Sequence, residues 1–261
     1  MAEIIERHLH RLEDGLTDAR RVLSTVQHLL HDQEEPMPTT TTVASDALIR
    51  AAQTVAHAVG DDPDYPMLRG VFVEIDSAKH TLRLVATDRH RLSVATLNDC
   101  AITGPDASLL APVSLLDSLQ ALRSGDATVT VDGDRLMIND VVFEALTFDF
   151  PAYRRVLRDD SAYTGIVEAD EFRRAIQAAA TRTVDGVSVV PVAVSADGEV
   201  SLQDDPDAAV QLVVNREFLL QAAQSISAPQ LVLDLDGPLA ALALRNDTSS
   251  TLAMVMPVRE G

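Results

Sequence analysis

The side chains best suited to chemistry fall in three separated runs. These are Val85-Ala86-Thr87-Asp88-Arg89-His90-Arg91-Leu92, Phe150-Pro151-Ala152-Tyr153-Arg154-Arg155-Val156-Leu157 and Met254-Val255-Met256-Pro257-Val258-Arg259. Their chemistry is recognition. His90 and Arg91 are donors able to orient a backbone carbonyl or a carboxylate, while leucine, valine and methionine offer an adaptable apolar surface. Catalytic groupings are missing from the pattern: there is no G-x-S-x-G, H-E-x-x-H, phosphate-loop or paired-cysteine motif, and the Asp and Glu residues have no partner set by spacing. The expectation is a binding protein, not an enzyme, with no cofactor. His8, His10, His28 and His31 have spacings a metal could use, but they flank a helical seam, where a solvated face is the simpler reading; no metal site is expected.

The elements that must position these runs are set by length and composition. At 261 residues, 46% of them hydrophobic, the chain can build one large or two medium cores. No run approaches the roughly 18 apolar residues of a membrane span, and Met1-Ala2-Glu3-Ile4-Ile5-Glu6-Arg7 is too charged for a signal peptide. A single cysteine, Cys100, excludes a disulfide framework and favours a reducing compartment. Together these predict a cytoplasmic protein without membrane contact. The net charge of −19 opposes nonspecific binding to phosphate backbones. Lys79 is the only lysine, and Arg50, Arg123, Arg173, Arg174 and Arg216 fall on expected helices without forming a dense strip.

Three parts follow along the chain. Ile5, Leu9, Leu12, Leu16, Ala19, Leu23, Val26 and Leu30 alternate four and three apart, a heptad seam of nearly four repeats. Gly15 weakens that helix by about 1 kcal/mol relative to alanine. One apolar stripe cannot bury itself, so the seam packs either on this chain's own body or, the preferred reading, on a second protomer in a homodimer. Residues 1–33 are thus expected to be a coiled-coil helix. The prolines and threonines of residues 34–42 read as a linker that becomes a strand near Thr42 and Val43.

The remainder holds an internal repeat. Ser45-Asp46-Ala47-Leu48-Ile49-Arg50-Ala51-Ala52-Gln53 echoes Ala169-Asp170-Glu171-Phe172-Arg173-Arg174-Ala175-Ile176-Gln177, each with an aspartate placed to cap a helix. Pro112 to Leu119 parallels Val214 to Leu220. Alternating runs separated by Asp132-Gly133, Asp197-Gly198 and Asp236-Gly237 predict antiparallel strands. Each half, residues 43–160 and 161–261, reads as an α+β unit of two helices backed by about six to eight strands.

In this order, the three runs together with Leu68-Arg69-Gly70 resemble the second and third domains of the bacterial DNA polymerase III sliding clamp (β subunit). The resemblance spans roughly residues 42–261. It implies two tandem clamp-type units. Between them it implies a cleft, formed here by Leu68, Thr87, Arg89, His90, Arg91, Leu92, Pro151, Val156, Met254 and Met256, into which polymerases and repair proteins insert a short, partly apolar peptide. The family motif usually has glycine where this chain has Arg89. That cation either narrows the cleft or adds a contact to an acidic ligand. His90 and Arg91 have a second reading, as groups that merely satisfy a strand edge.

Residues 4–30 resemble the dimerisation helix of MerR-family transcription regulators, in which a DNA-reading domain precedes the helix. The combined expectation is a dimeric, clamp-like effector module that binds a peptide or small molecule and meets DNA only through a domain not present in this chain. The alternative is a replication clamp or clamp accessory. The first clamp domain, through which the family's rings close, has no counterpart in the sequence, and four units would enclose a smaller hole than six.

Overall fold

The computed structural model describes residues 37–158 and 160–259. The seam of Ile5, Leu9, Leu12, Leu16, Leu23, Val26 and Leu30, and the dimer expected through it, lie outside the described residues.

The first half begins with β1 (Thr39–Ala44), which runs directly into α1 (Ser45–Ala56). A meander of β2 (Gly70–Asp76), β3 (Thr81–Thr87) and β4 (Arg91–Leu97) follows. Short β5 (Ala101–Thr103) and β6 (Ala107–Pro112) lead to α2 (Ser114–Gln120), and β7 (Asp126–Asp132), β8 (Arg135–Ile138) and β9 (Val141–Glu144) close the half. The second half repeats the plan with β10 (Tyr163–Glu168), α3 (Ala169–Ala178), β11 (Arg182–Val184), β12 (Val187–Val194) and β13 (Val200–Ser201). It ends with β14 (Val210–Asn215), α4 (Arg216–Ser225), β15 (Gln230–Leu235), β16 (Leu242–Arg245) and β17 (Thr251–Val255).

All strand pairings are antiparallel. One sheet has the order β5-β1-β7-β8-β9, and a smaller one carries β11, β13 and β14 on β12. The third spans both halves in the order β10-β15-β16-β17-β4-β3-β2-β6. Its middle pairing, β17 against β4, places Met254 opposite Leu92 and Val255 opposite Arg91. The halves are therefore joined by backbone hydrogen bonds rather than by side-chain packing alone. Ser93 reinforces the seam from inside: its buried Oγ donates to the Thr54 carbonyl (2.8 Å) and lies 3.4 Å from that of Leu252.

Each half has its own core. In the first, Leu48, Ala51, Ala52 and Val55 of α1 and Leu115, Leu116 and Leu119 of α2 pack on Val71, Val73, Leu82, Leu84 and the inward positions of β7 and β8. In the second, Phe172 and Ile176 of α3 and Leu219, Ala222 and Ala223 of α4 cover Val190, Val192, Leu231, Leu233, Leu242 and Leu244. The period-two burial of Ala127, Val129 and Val131 in β7 is what one core-facing side requires, whereas β12 is buried almost continuously from Val189 to Val194.

Several expectations need correction. Thr39–Thr42 belongs to β1, with Thr39 and Thr41 buried, so the strand starts three residues before Thr42. Asp46 and Asp170 sit in the first turns of α1 and α3, and neither helix has a side-chain cap. Each strand runs straight into its helix, and the Ser45 and Ala169 amides are taken by the Gly125 and Pro229 carbonyls. The aspartates act instead on the helix dipole. Among the expected helical arginines, Arg123 lies beyond the end of α2. The halves are also unequal: residues 202–209 join β13 to β14 with no strand, where the first half has β4 and β5. Among the described residues no helix is long and apolar enough to cross a membrane.

Gly70 shows why the Leu68-Arg69-Gly70 motif needs its glycine. A Cβ there would lie 2.5 Å from the Ala111 carbonyl oxygen on the neighbouring β6. Gly70→Ala is expected to cost about 1–3 kcal/mol, as overpacking against backbone does, and urea denaturation would read it.

Candidate functional site

The turn between β3 and β4 is built by two side chains. Asp88 Oδ1 accepts from the amides of His90 (2.9 Å) and Arg91 (2.7 Å), while Thr87 Oγ1 donates to the Arg91 carbonyl (2.6 Å). Arg89, at the tip, is held at φ +79°, in the left-handed region that favours glycine. Its guanidinium carbon lies 3.8 Å from the centre of the Tyr65 ring. From the other half, the Met256 amide donates to the His90 carbonyl (2.8 Å) and so carries the β17–β4 pairing one residue further.

Arg91, which lines the cleft, is also engaged by neighbouring groups of the protein. Its Nε and Nη2 donate to Asp88 Oδ2 at 2.8 and 2.6 Å, its Nη1 donates to Gln221 Oε1, and its guanidinium lies over the Phe218 ring at 4.0 Å. Gln221 and Phe218 belong to α4, so Arg91 pins the β3–β4 turn to the second half. His90 stands free of that network, with its ring 6.4 Å from Phe218.

The connecting run 150–157 is tethered just as firmly. Phe150 stacks on Phe72 at 5.0 Å, and Tyr153 is buried edge-on to both. Tyr153 Oη donates to Glu74 Oε2 (2.7 Å), which also accepts from Arg154 Nη2 (2.6 Å) and lies 3.4 Å from Arg83 Nη1. Burial pushes the Glu74 carboxyl up, but the hydrogen bonds from Arg154 and Tyr153 and the two arginine charges outweigh it and hold the group below its ordinary value. Burial and the Glu74 contact push the Tyr153 phenol up to about 12. Glu74→Ala is expected to cost about 1.5–3 kcal/mol, the usual loss for hydrogen bonds to a charged acceptor, and to speed hydrogen exchange across residues 153–156. Because Glu74 is more acidic when folded, its contribution is complete above the ordinary carboxylate range and disappears as pH falls through the lowered value.

Between these anchored pieces opens a cleft of about 720 Å³. Nine of the expected residues line it: Thr87, Arg89, His90, Arg91, Leu92, Pro151, Val156, Met254 and Met256. Leu68 does not. It is buried on the 3-10 turn Pro66–Leu68, and its carbonyl accepts from the Gly60 amide (2.9 Å), so it supports the fold instead of facing the opening. The apolar floor includes Leu92, Leu157, Leu252 and Met254, while Val156, Leu239 and Met256 are exposed at 52%, 68% and 45%. Leu239 and Leu252 were not anticipated. The turn signal Asp236-Gly237 marked the segment of Leu239, but nothing local aimed it at the cleft.

A wider groove of about 1270 Å³ opens at the other end of the β4–β17 seam, around Arg50, Gln53, Asn98, Asp99, Gln224 and Thr251. Its lining is mostly small or polar. Arg173 there is already committed to Asp170 and the Ala223 and Ile226 carbonyls. Cys100 is buried, and burial pushes its thiol up. Among the described residues no group of acidic, His or Cys side chains could hold a metal ion.

Two joined α+β units with one sheet running through their boundary define the sliding-clamp fold. The sliding clamp of Bacillus subtilis superposes with a TM-score of 0.71 at 18% identity, over 87% of this chain and 66% of that one. Residues 42–145 match the family of the DNA polymerase III beta subunit, central domain. The chain is 28% identical over 221 residues to the Beta sliding clamp of Vibrio cholerae, covering 74% of this chain and 58% of that one. It is also 28% identical over 234 residues to that of Streptomyces coelicolor, covering 77% and 61%. The chain thus spans about three fifths of the length of these relatives.

These findings overturn the expectation of an effector module in a MerR-type transcription regulator. The relatives are sliding clamps, and the family match falls on residues 42–145, outside the stretch that suggested a regulator. The heptad seam that suggested a regulator lies outside the described residues.

Proposed function

We propose that this protein is a non-catalytic, clamp-type scaffold of DNA replication, a processivity clamp or clamp accessory, that receives a short partner peptide in the cleft between its two units, residues 43–160 and 161–261. One observation carries the reading. Leu92, Val156, Met254 and Met256 come from three distant parts of the chain and line one cleft, Leu92 and Met254 in its floor and the exposed Val156 and Met256 beside them, with donors at the rim. Such a floor suits a peptide: adaptable side chains supply affinity at about 25 cal/mol per Å² buried before ordering costs. The rigid turn and the tethered 150–157 run hold the opening ready, which lowers those costs. The similarity to sliding clamps supplies the class of partner, the polymerases and repair proteins of replication.

Duplex DNA is bound weakly, if at all, by this surface. The four described helices carry Arg50, Arg173, Arg174 and Arg216 among Asp46, Asp117, Asp170, Glu171 and Glu217, no basic strip, on a chain of net charge −19. Self-association through residues 4–30 belongs to the same reading, as does a cytoplasmic location; light scattering that gives a monomer at micromolar concentration would refute the former.

Competition tests the function. Added in excess to primer extension by a polymerase that depends on a β sliding clamp, the chain should capture the polymerase's peptide and shorten the products. Met256→Asp protein should not. Full-length products at hundredfold excess of the wild-type chain would overturn the proposal.

A further inference from the structure

We infer that Arg89 is a specificity-determining residue that selects partner peptides carrying a carboxylate beside their apolar anchors. The inference rests on the cleft being a peptide site and goes on to name the peptide's chemistry.

Backbone and side chain both bear on what this cation does. Arg89 occupies a left-handed position, φ +79°, where an L side chain is strained and glycine would not be. Asp88 and Thr87 hold the backbone on both sides of it in this conformation. The side chain does not fold over the floor to plug it. Its guanidinium carbon lies 3.8 Å from the centre of the Tyr65 ring, which is not among the residues lining the cleft, and the opening keeps its volume of about 720 Å³. A cation held against a ring face still has N–H donors to offer a further acceptor.

Those donors are uncommitted. Arg91, Arg158 and Arg245 line the same cleft and are paired with Asp88, Asp236 and Asp234. Among the described residues Arg89 has no carboxylate partner, nor does Arg155 on the connecting run. A chain with 40 acidic residues against 21 basic ones has thus left two cations without a carboxylate partner in the lining of one cleft. The ligand chemistry that complements this arrangement is a peptide whose apolar side chains enter the floor while an Asp or Glu meets Arg89.

The test uses the intact chain and two labelled synthetic peptides with the same apolar anchors, one carrying Asp and the other Asn at positions scanned along the flank. Fluorescence polarisation gives the affinity ratio for each pair. Wild-type protein should prefer the Asp form by about fivefold at its best position, the scale of a partly exposed ion pair. Arg89→Met, which keeps length without charge, and Arg89→Gly should both bring the ratio to about one. Three results would overturn the inference: a preference that persists in Arg89→Met, tighter binding of both peptides by Arg89→Gly (which would make Arg89 an obstruction), or no preference in wild type. If the wild type binds neither peptide, the cleft reading itself falls and takes this inference with it.

Discussion

Met256→Asp is expected to lower peptide affinity by about a hundredfold, because an unpaired carboxylate sealed under an apolar ligand costs about 3 kcal/mol. The free protein should not suffer. Met256 is 45% exposed, so in the absence of ligand its replacement is solvated, and its one structural bond is a backbone amide to His90 that any residue can make. Loss of binding with an unchanged melting temperature would therefore separate the site from the fold. A decrease below threefold, measured by polarisation, would mean that the ligand does not cover this part of the cleft.

Stability should fall by about 1.5 kcal/mol between pH 6.5 and 5, with His57 as the cause. This side chain follows α1, and neither ring nitrogen has a hydrogen-bond partner. Burial, and then the Arg91 charge, bring its pKa from 6.5 down to about 4 against the opposing pulls of the Thr54 backbone and Asp88. Below pH 6.5 the unfolded chain takes up a proton that the folded chain refuses, so stability is full above that value and declines with acid until pH reaches about 4. Urea denaturation over this window should show the slope in wild type and lose it in His57→Leu. The window lies above the range in which Glu74 titrates, which keeps the two contributions apart. Because His57 senses Arg91, the same protonation should loosen the pin between the β3–β4 turn and α4.

The site was legible where the signal was local. Thr87 and Asp88 build their turn from neighbours within four residues, and that spacing is visible in the sequence. The engagement of Arg91 by Asp88, three residues away, was equally open to reading; its engagement by Gln221, 130 positions on, was not. Leu68 looked like a cleft residue because its motif neighbours the others in the family, yet its turn faces the interior. Among the strands, β5 and β11 are three residues long, too short for any period to register. The functional expectation went astray for a related reason. A heptad seam fits any coiled coil, so it carried little information about kind. The ordered motifs of residues 42–261 carried much more, and they pointed to the sliding clamp.

The most direct measurement is hydrogen exchange of the intact chain with and without a saturating acidic peptide bearing two apolar anchors. The account predicts protection of residues 90–92, 153–157 and 252–256, the three runs that meet at the cleft, and no change around Arg50, Gln53 and Asn98 at the opposite end of the seam. Protection confined to that opposite groove, or found nowhere while the peptide binds, would contradict it.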